Sequence, residues 1–93
     1  MSTKKKQKKQ RSPRRKRLHL YLINDDTNAV EYVVHLLMYL CSHNALQAEQ
    51  CALLTHNTGK CHIYSSLNGM EVIAIYEALL KSGLNIELKD KKL

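Results

Sequence analysis

Ninety-three residues bound one small domain, near the size at which a single hydrophobic core is still self-sufficient. Fifteen Lys and Arg against eight Asp and Glu give a formal net charge of +7, yet ten of those fifteen lie within residues 1–17, where there is no acid. The remainder carries five basic residues against all eight acidic ones, so the headline charge describes a leader and is poor support for a nucleic-acid-binding fold. No run of eighteen apolar residues is present, which excludes a helical membrane span. The basic leader is not followed by a long apolar stretch and a small-residue cleavage site, so export is not expected and a cytoplasmic protein is.

Residues 1–17 are almost purely Lys, Arg, Gln and Ser around Pro13, and like charges repel; a disordered extension is expected here, ahead of one domain spanning 18–93. Leu18, Leu20 and Leu22 alternate with His19, Tyr21 and Ile23, the period of a half-buried strand over 18–23. Val30, Val33, Val34, Leu37 and Leu40 then repeat at helical spacing and predict a helix over about 29–42, with Asn28 as its cap and Glu31 as the reciprocal partner of a capping box. Asn44 or Ser42 is placed to cap a second helix over about 45–56, whose apolar positions are Ala45, Ala48, Cys51, Ala52 and Leu53. Gly59 suits the left-handed position that ends it. Residues 60–64 read as a second strand with Cys61 and Ile63 on one face. Ser65 or Ser66 starts a third helix over about 67–82 with the stripe Leu67, Met70, Ile73, Ala74, Glu77, Leu80, in which Glu77 is discordant. Leu84, Ile86 and Leu88 alternate as a third strand over 84–88, and a charged end follows. The order strand, helix, helix, strand, helix, strand predicts an α+β two-layer sandwich, with a three-stranded, largely antiparallel sheet packed against three helices.

Between the first strand and the first helix stand Asn24, Asp25 and Asp26, an acceptor-rich corner suited to a cationic donor. Turn chemistry by itself also explains these residue types, because Asn and Asp side chains bond nearby backbone. An enzyme is not expected. Asp25 and Asp26 are adjacent in a turn and their side chains diverge, while Cys61 and His62 are strand neighbours on opposite faces. Three glycines form no phosphate loop. The three cysteines, Cys41, Cys51 and Cys61, contain no C-x-x-C pair, so neither a disulfide framework nor a zinc site with His56 or His62 is expected, and no cofactor is implied.

Three pieces stand in order on the expected elements: Leu22-Ile23-Asn24-Asp25-Asp26, then Glu31-Tyr32-Val33-Val34, then His56-Asn57-Thr58-Gly59-Lys60. Together they resemble the Clp protease adaptor family ClpS, over about residues 18–89. That family carries a strand ending in Asn-Asp-Asp, a Glu-aromatic-Val at the start of the first helix, and a His-x-x-Gly-Lys after the second.

The resemblance implies the ClpS architecture and an adaptor that binds proteins by a bulky hydrophobic N-terminal residue, an N-degron, and delivers them to a Clp-family AAA+ unfoldase, ClpA- or ClpC-like. It implies that Asn24, Asp25 and His56 ligate the α-amino group of the cargo. The accepting ring nitrogen of His56 must then be unprotonated, which makes binding sensitive to acid; the other reading of His56 is a histidine favoured by the helix C-terminus. An apolar cavity for the first side chain falls on Val30, Val33, Ala52 and Thr55, with Leu84 as a fifth member, although helical apolar positions also make ordinary core. The family commonly has Met at the positions of Val30 and Ala52 and Val at that of Thr55, so a wider cavity is expected. Thr27-Asn28-Ala29 replaces its aromatic-Thr-Pro. A flexible N-terminal extension helps delivery in that family, but strong basicity is not one of its features. A monomer is expected, with nucleic acid contacted only through the basic tail. The rival reading is a small RNA- or ribosome-associated protein whose work is done by residues 1–17.

Overall fold

A computed structural model describes residues 16–92. Six elements follow one another: β1 (Lys16–Ile23), α1 (Val30–Cys41), α2 (Ala45–Thr58), β2 (Lys60–Ser66), α3 (Gly69–Lys81) and β3 (Asn85–Lys92). β1 is central in a sheet of order β2-β1-β3, and it pairs antiparallel with both neighbours. All three helices pack on one face, which makes the α+β two-layer sandwich that the element order predicts.

The alternation in β1 fixes which face is covered. Leu20 is fully buried and Leu22 nearly so, and they meet Leu37 of α1, Ala48 and Cys51 of α2, Ile63 of β2, and Val72 and Leu79 of α3 in one core. His19 and Tyr21 point to the opposite face, which none of the described helices covers, and their rings meet that of His62 there. Opposite β2, the ladder slips between Leu20 and Tyr21: Leu20 pairs with Tyr64 and Tyr21 with His62, so Ile63 is the extra residue of a bulge. That slip lets Cys61, Ile63 and Tyr64 all turn toward the helices, while His62 joins Tyr21 outside.

Several expectations are corrected. β1 begins at Lys16, so Lys16 and Arg17 are strand residues paired with Lys92 and Lys91, and the charged end is the second half of β3. The rest of the expected disordered leader, residues 1–15, lies outside the described residues. The cap of α1 is Ala29, with no side-chain bond, since Asn28 is engaged elsewhere. α2 runs two residues longer than expected and carries the full capping box, Asn44 with Gln47. α3 is capped by Asn68 rather than by Ser65 or Ser66.

The stripe expected on α3 is the wrong one. Met70, at 87% exposure, Ala74 and Leu80 face solvent, while Val72, Ile75, Tyr76 and Leu79 pack inward. The helix carries two interleaved apolar stripes, and Glu77 sits in the one that faces water. Leu53 and Ala45 of α2 are likewise exposed, and Thr55 is buried with Ala48, Cys51 and Ala52. The cysteines also depart from expectation: Cys51 and Cys61 pair as a disulfide, their Cα atoms 5.9 Å apart, because α2 lies directly against β2. Cys41 stays free, and burial pushes its thiol up to about 11.

Gly59 ends α2 in a left-handed conformation, φ 101°, with its N–H donating to Thr55 O. A Cβ there would meet nothing within 4 Å, so the cost of a side chain is one of backbone alone. Gly59→Ala is expected to lower the free energy of unfolding by about 1–2 kcal/mol, the left-handed penalty of an L-residue, read from urea denaturation.

Candidate functional site

The antiparallel pairing of β1 with β2 builds the site. Ile23 at the end of β1 faces Lys60 at the start of β2, and the next N–H, of Asn24, donates to Gly59 O at 2.9 Å. This bond carries the ladder one step past the strands and sets Asn24 beside the last turn of α2. His56 lies three residues before Gly59, in that same turn. Residues more than thirty positions apart thus come to one corner because two strands share a register.

Asp25 organises the corner. Its Oδ1 accepts from the N–H groups of Thr27 at 2.9 Å and Asn28 at 3.0 Å, the turn chemistry that the residue types suggest. The side-chain amide of Asn28 donates to both carboxylate oxygens, at 3.3 Å to Oδ1 and 3.1 Å to Oδ2. Partial burial by itself raises the carboxyl's pKa; the bonds from the Asn28 N–H, the Thr27 N–H and the Asn28 side chain outweigh it and hold Asp25 below its ordinary value. Oδ1 is saturated, whereas Oδ2 has one partner in the structure and keeps capacity for an incoming donor. Asp25 therefore closes a turn and still offers charge.

Asn28 also donates to Gly83 O at 3.0 Å, and Tyr32 Oη donates to Ser82 O at 2.6 Å. These two bonds fasten the β1–α1 corner to the turn before β3. Sequence reasoning gave Asn28 the role of a helix cap and missed this clamp. Its spacing three residues after Asp25 is a local signal, but Gly83 lies 55 positions away and leaves none.

Beside the corner lies a hollow of about 70 Å³. Asn24, Asp25 and His56 form its polar side; Val30, Val33, Ala52 and Thr55 line it from α1 and α2, with Leu22, Ile23 and Asn28 completing the wall. The Thr55 hydroxyl donates to Cys51 O at 2.8 Å, so its polar atom is already satisfied within the helix. Leu84 is not among the residues that line the hollow; it is 3% exposed within the hydrophobic core. At this size the hollow suits part of one side chain, well below the roughly 300–1,000 Å³ of small-molecule sites. Among the described residues, no group of three or more His, Cys, Asp or Glu is placed to hold a metal ion.

The sequence matches the family described as ATP-dependent Clp protease adaptor protein ClpS over residues 13–77, well over half of the chain. The chain belongs to the ClpS family. No curated protein matches it by sequence. Among solved structures, that of Agrobacterium tumefaciens ClpS2 bound to L-phenylalaninamide superposes with a TM-score of 0.68 at 16% identity, covering 84% of this chain and all of that one. At that identity the likeness is one of fold. The ClpS members are adaptors by description, and the α+β architecture of this chain is theirs.

Because Asp25 has a lower pKa folded than the ordinary 3.8, the native state binds fewer protons there; the stability it contributes is present above about pH 4 and is lost as the pH falls below it. Asp25→Asn is expected to flatten that part of the acid-unfolding profile. Asn28→Ala removes donors from a charged acceptor and is expected to destabilise the fold by about 1–2 kcal/mol at neutral pH, both effects being read by denaturant titration across pH 3–7.

Proposed function

We propose that the chain is an adaptor that captures proteins by a free N-terminus with a bulky hydrophobic first residue and delivers them to a Clp-family AAA+ unfoldase. Family membership supports the adaptor role. The observation that carries the binding chemistry is that one hollow is lined jointly by Asn24, Asp25 and His56 on its polar side and by Val30, Val33, Ala52 and Thr55 on its apolar side. A protonated α-amine has three donors and a full charge. Oδ2 of Asp25, the side-chain oxygen of Asn24 and an unprotonated ring nitrogen of His56 supply acceptors from two different elements. The first side chain of the cargo then enters between α1 and α2. A. tumefaciens ClpS2, bound to L-phenylalaninamide, offers the same kind of ligand, a free amine beside an aromatic side chain.

Two charge-assisted hydrogen bonds at about 1.5–3 kcal/mol each and a side chain whose full burial would add about 1.5–3 give at most roughly 5–9 kcal/mol before ordering costs. Micromolar binding corresponds to about 8.2 kcal/mol, so neither the amine nor the side chain suffices alone. From its family we place the adaptor in the cytoplasm, as a monomer; no helix among the described residues is long and apolar enough to cross a membrane.

Short peptides that differ only in their first residue test this reading by fluorescence anisotropy. Leu-, Phe-, Tyr- or Trp-initiated peptides are expected to bind at micromolar levels, and their N-acetylated or Asp-initiated counterparts not to bind. Asp25→Ala and His56→Ala are each expected to weaken capture about ten-fold or more. Equal binding of free and acetylated peptides, or unchanged capture by both variants, would overturn the assignment.

A further inference from the structure

The face of the sheet turned away from the helices plays no part in that site, and its composition is unlike the rest of the domain. In its middle, three rings touch: Tyr21 and His62 meet edge-on with centroids 5.2 Å apart, and His19 lies 5.1 Å from His62 and 6.5 Å from Tyr21. Cations surround them. Lys60 Nζ stands 5.2 Å over the Tyr21 ring, Lys89 is paired across the ladder with His19, and Arg17 follows two residues before His19 on the same face. Among the described residues of this face, Glu87 is the acid, and its carboxylate is shared by Lys60 at 3.2 Å and Lys89 at 3.8 Å. One carboxylate between two ammonium groups leaves the face positive. Asp25, Asp26, Glu31, Glu49, Glu71 and Glu77 all lie at the corner or on the helices, and Asp90, in register with Leu18, belongs to the helix side. A domain of negative net charge thus presents one positive, ring-bearing face, and the strand at its centre continues directly from the leader in which the basic residues are concentrated.

Flat rings flanked by cations on an open sheet are the chemistry that holds unpaired bases and the phosphates between them. Every base has a π-face, so stacking tolerates any sequence, and lysines track the backbone. A duplex hides its base faces and offers a sheet of this kind phosphates alone. We infer that the open face, centred on Tyr21 and His62 and flanked by Lys60, Lys89 and Arg17, binds single-stranded nucleic acid. Its exposed Glu87 ion pairs are cheap to exchange for phosphate, because surface pairs of this kind contribute about 0–1 kcal/mol.

Anisotropy of a fluorescein-labelled oligouridine with the full chain at low salt, beside a duplex RNA of equal length, tests the inference. The single strand is expected to bind more tightly than the duplex. Tyr21→Ala is expected to weaken it about five-fold or more while Tyr21→Phe retains the affinity, since stacking needs the ring and not the hydroxyl. Lys89→Gln is expected to lower the slope of log affinity against log salt by about one. Capture of a Leu-initiated peptide, measured in parallel, is expected to be unchanged in Tyr21→Phe and Lys89→Gln, since neither residue lines the hollow. Absence of binding at low salt, equal or tighter binding of the duplex, or affinity indifferent to both Tyr21→Ala and Lys89→Gln would overturn it.

Discussion

The pairing of β1 with β2 is the constraint on which everything else rests. Ile23 opposite Lys60, and the single bond from Asn24 N–H to Gly59 O beyond it, decide that the first turn of the chain and the last turn of α2 share a corner. A slip of one residue would turn Leu20 and Leu22 outward and carry Asn24 away from His56 together. Core and candidate site are therefore specified by the same register. The bulge at Ile63 belongs to that specification, since it reconciles a buried Ile63 and a half-buried Tyr64 with an outward His62.

Asp25 combines a structural role with room for the binding role proposed for it. Oδ1 is consumed by the turn, and Oδ2 is left with room. Holding the carboxylate ionised and oriented before any ligand arrives lowers the ordering cost of binding, which matters when the gross interaction is only several kcal/mol. Asn28 does the holding and transmits the position of the turn at Gly83 to the corner. With Asn28 serving as a clamp to Gly83, α1 begins at Ala29 without a side-chain cap.

The two faces of the sheet divide the chemistry of the domain. One is sealed by three helices and carries the core and, at its edge, the acidic corner. The other is open and collects rings and cations around Tyr21. The Cys51–Cys61 disulfide ties α2, which holds Ala52, Thr55 and His56, to the strand that bears His62, so a covalent link joins the walls of both regions.

Local pattern determined much of this. Alternation in β1, the caps Asn44 and Gly59, and the order of elements follow from short-range rules, and they led to the α+β sandwich and to the acceptor-rich turn at Asn24 and Asp25, whereas His56 was joined to that turn only by the family resemblance. Where two local readings were equally regular, the chain by itself could not choose. α3 offers two apolar stripes, and only packing against Leu20 and Leu84 selects Val72 and Leu79 over Met70 and Leu80. The discordant Glu77 was the local sign of that choice. Leu84 as core instead of pocket wall, Asn28 as clamp instead of cap, Cys51 beside Cys61, and the extension of β1 and β3 through Lys16 and Lys92 all depend on partners tens of residues away. Spacing along the chain fixes which residues share a face of one element; only the tertiary structure fixes what that face meets, because burial and hydrogen bonding are settled between elements.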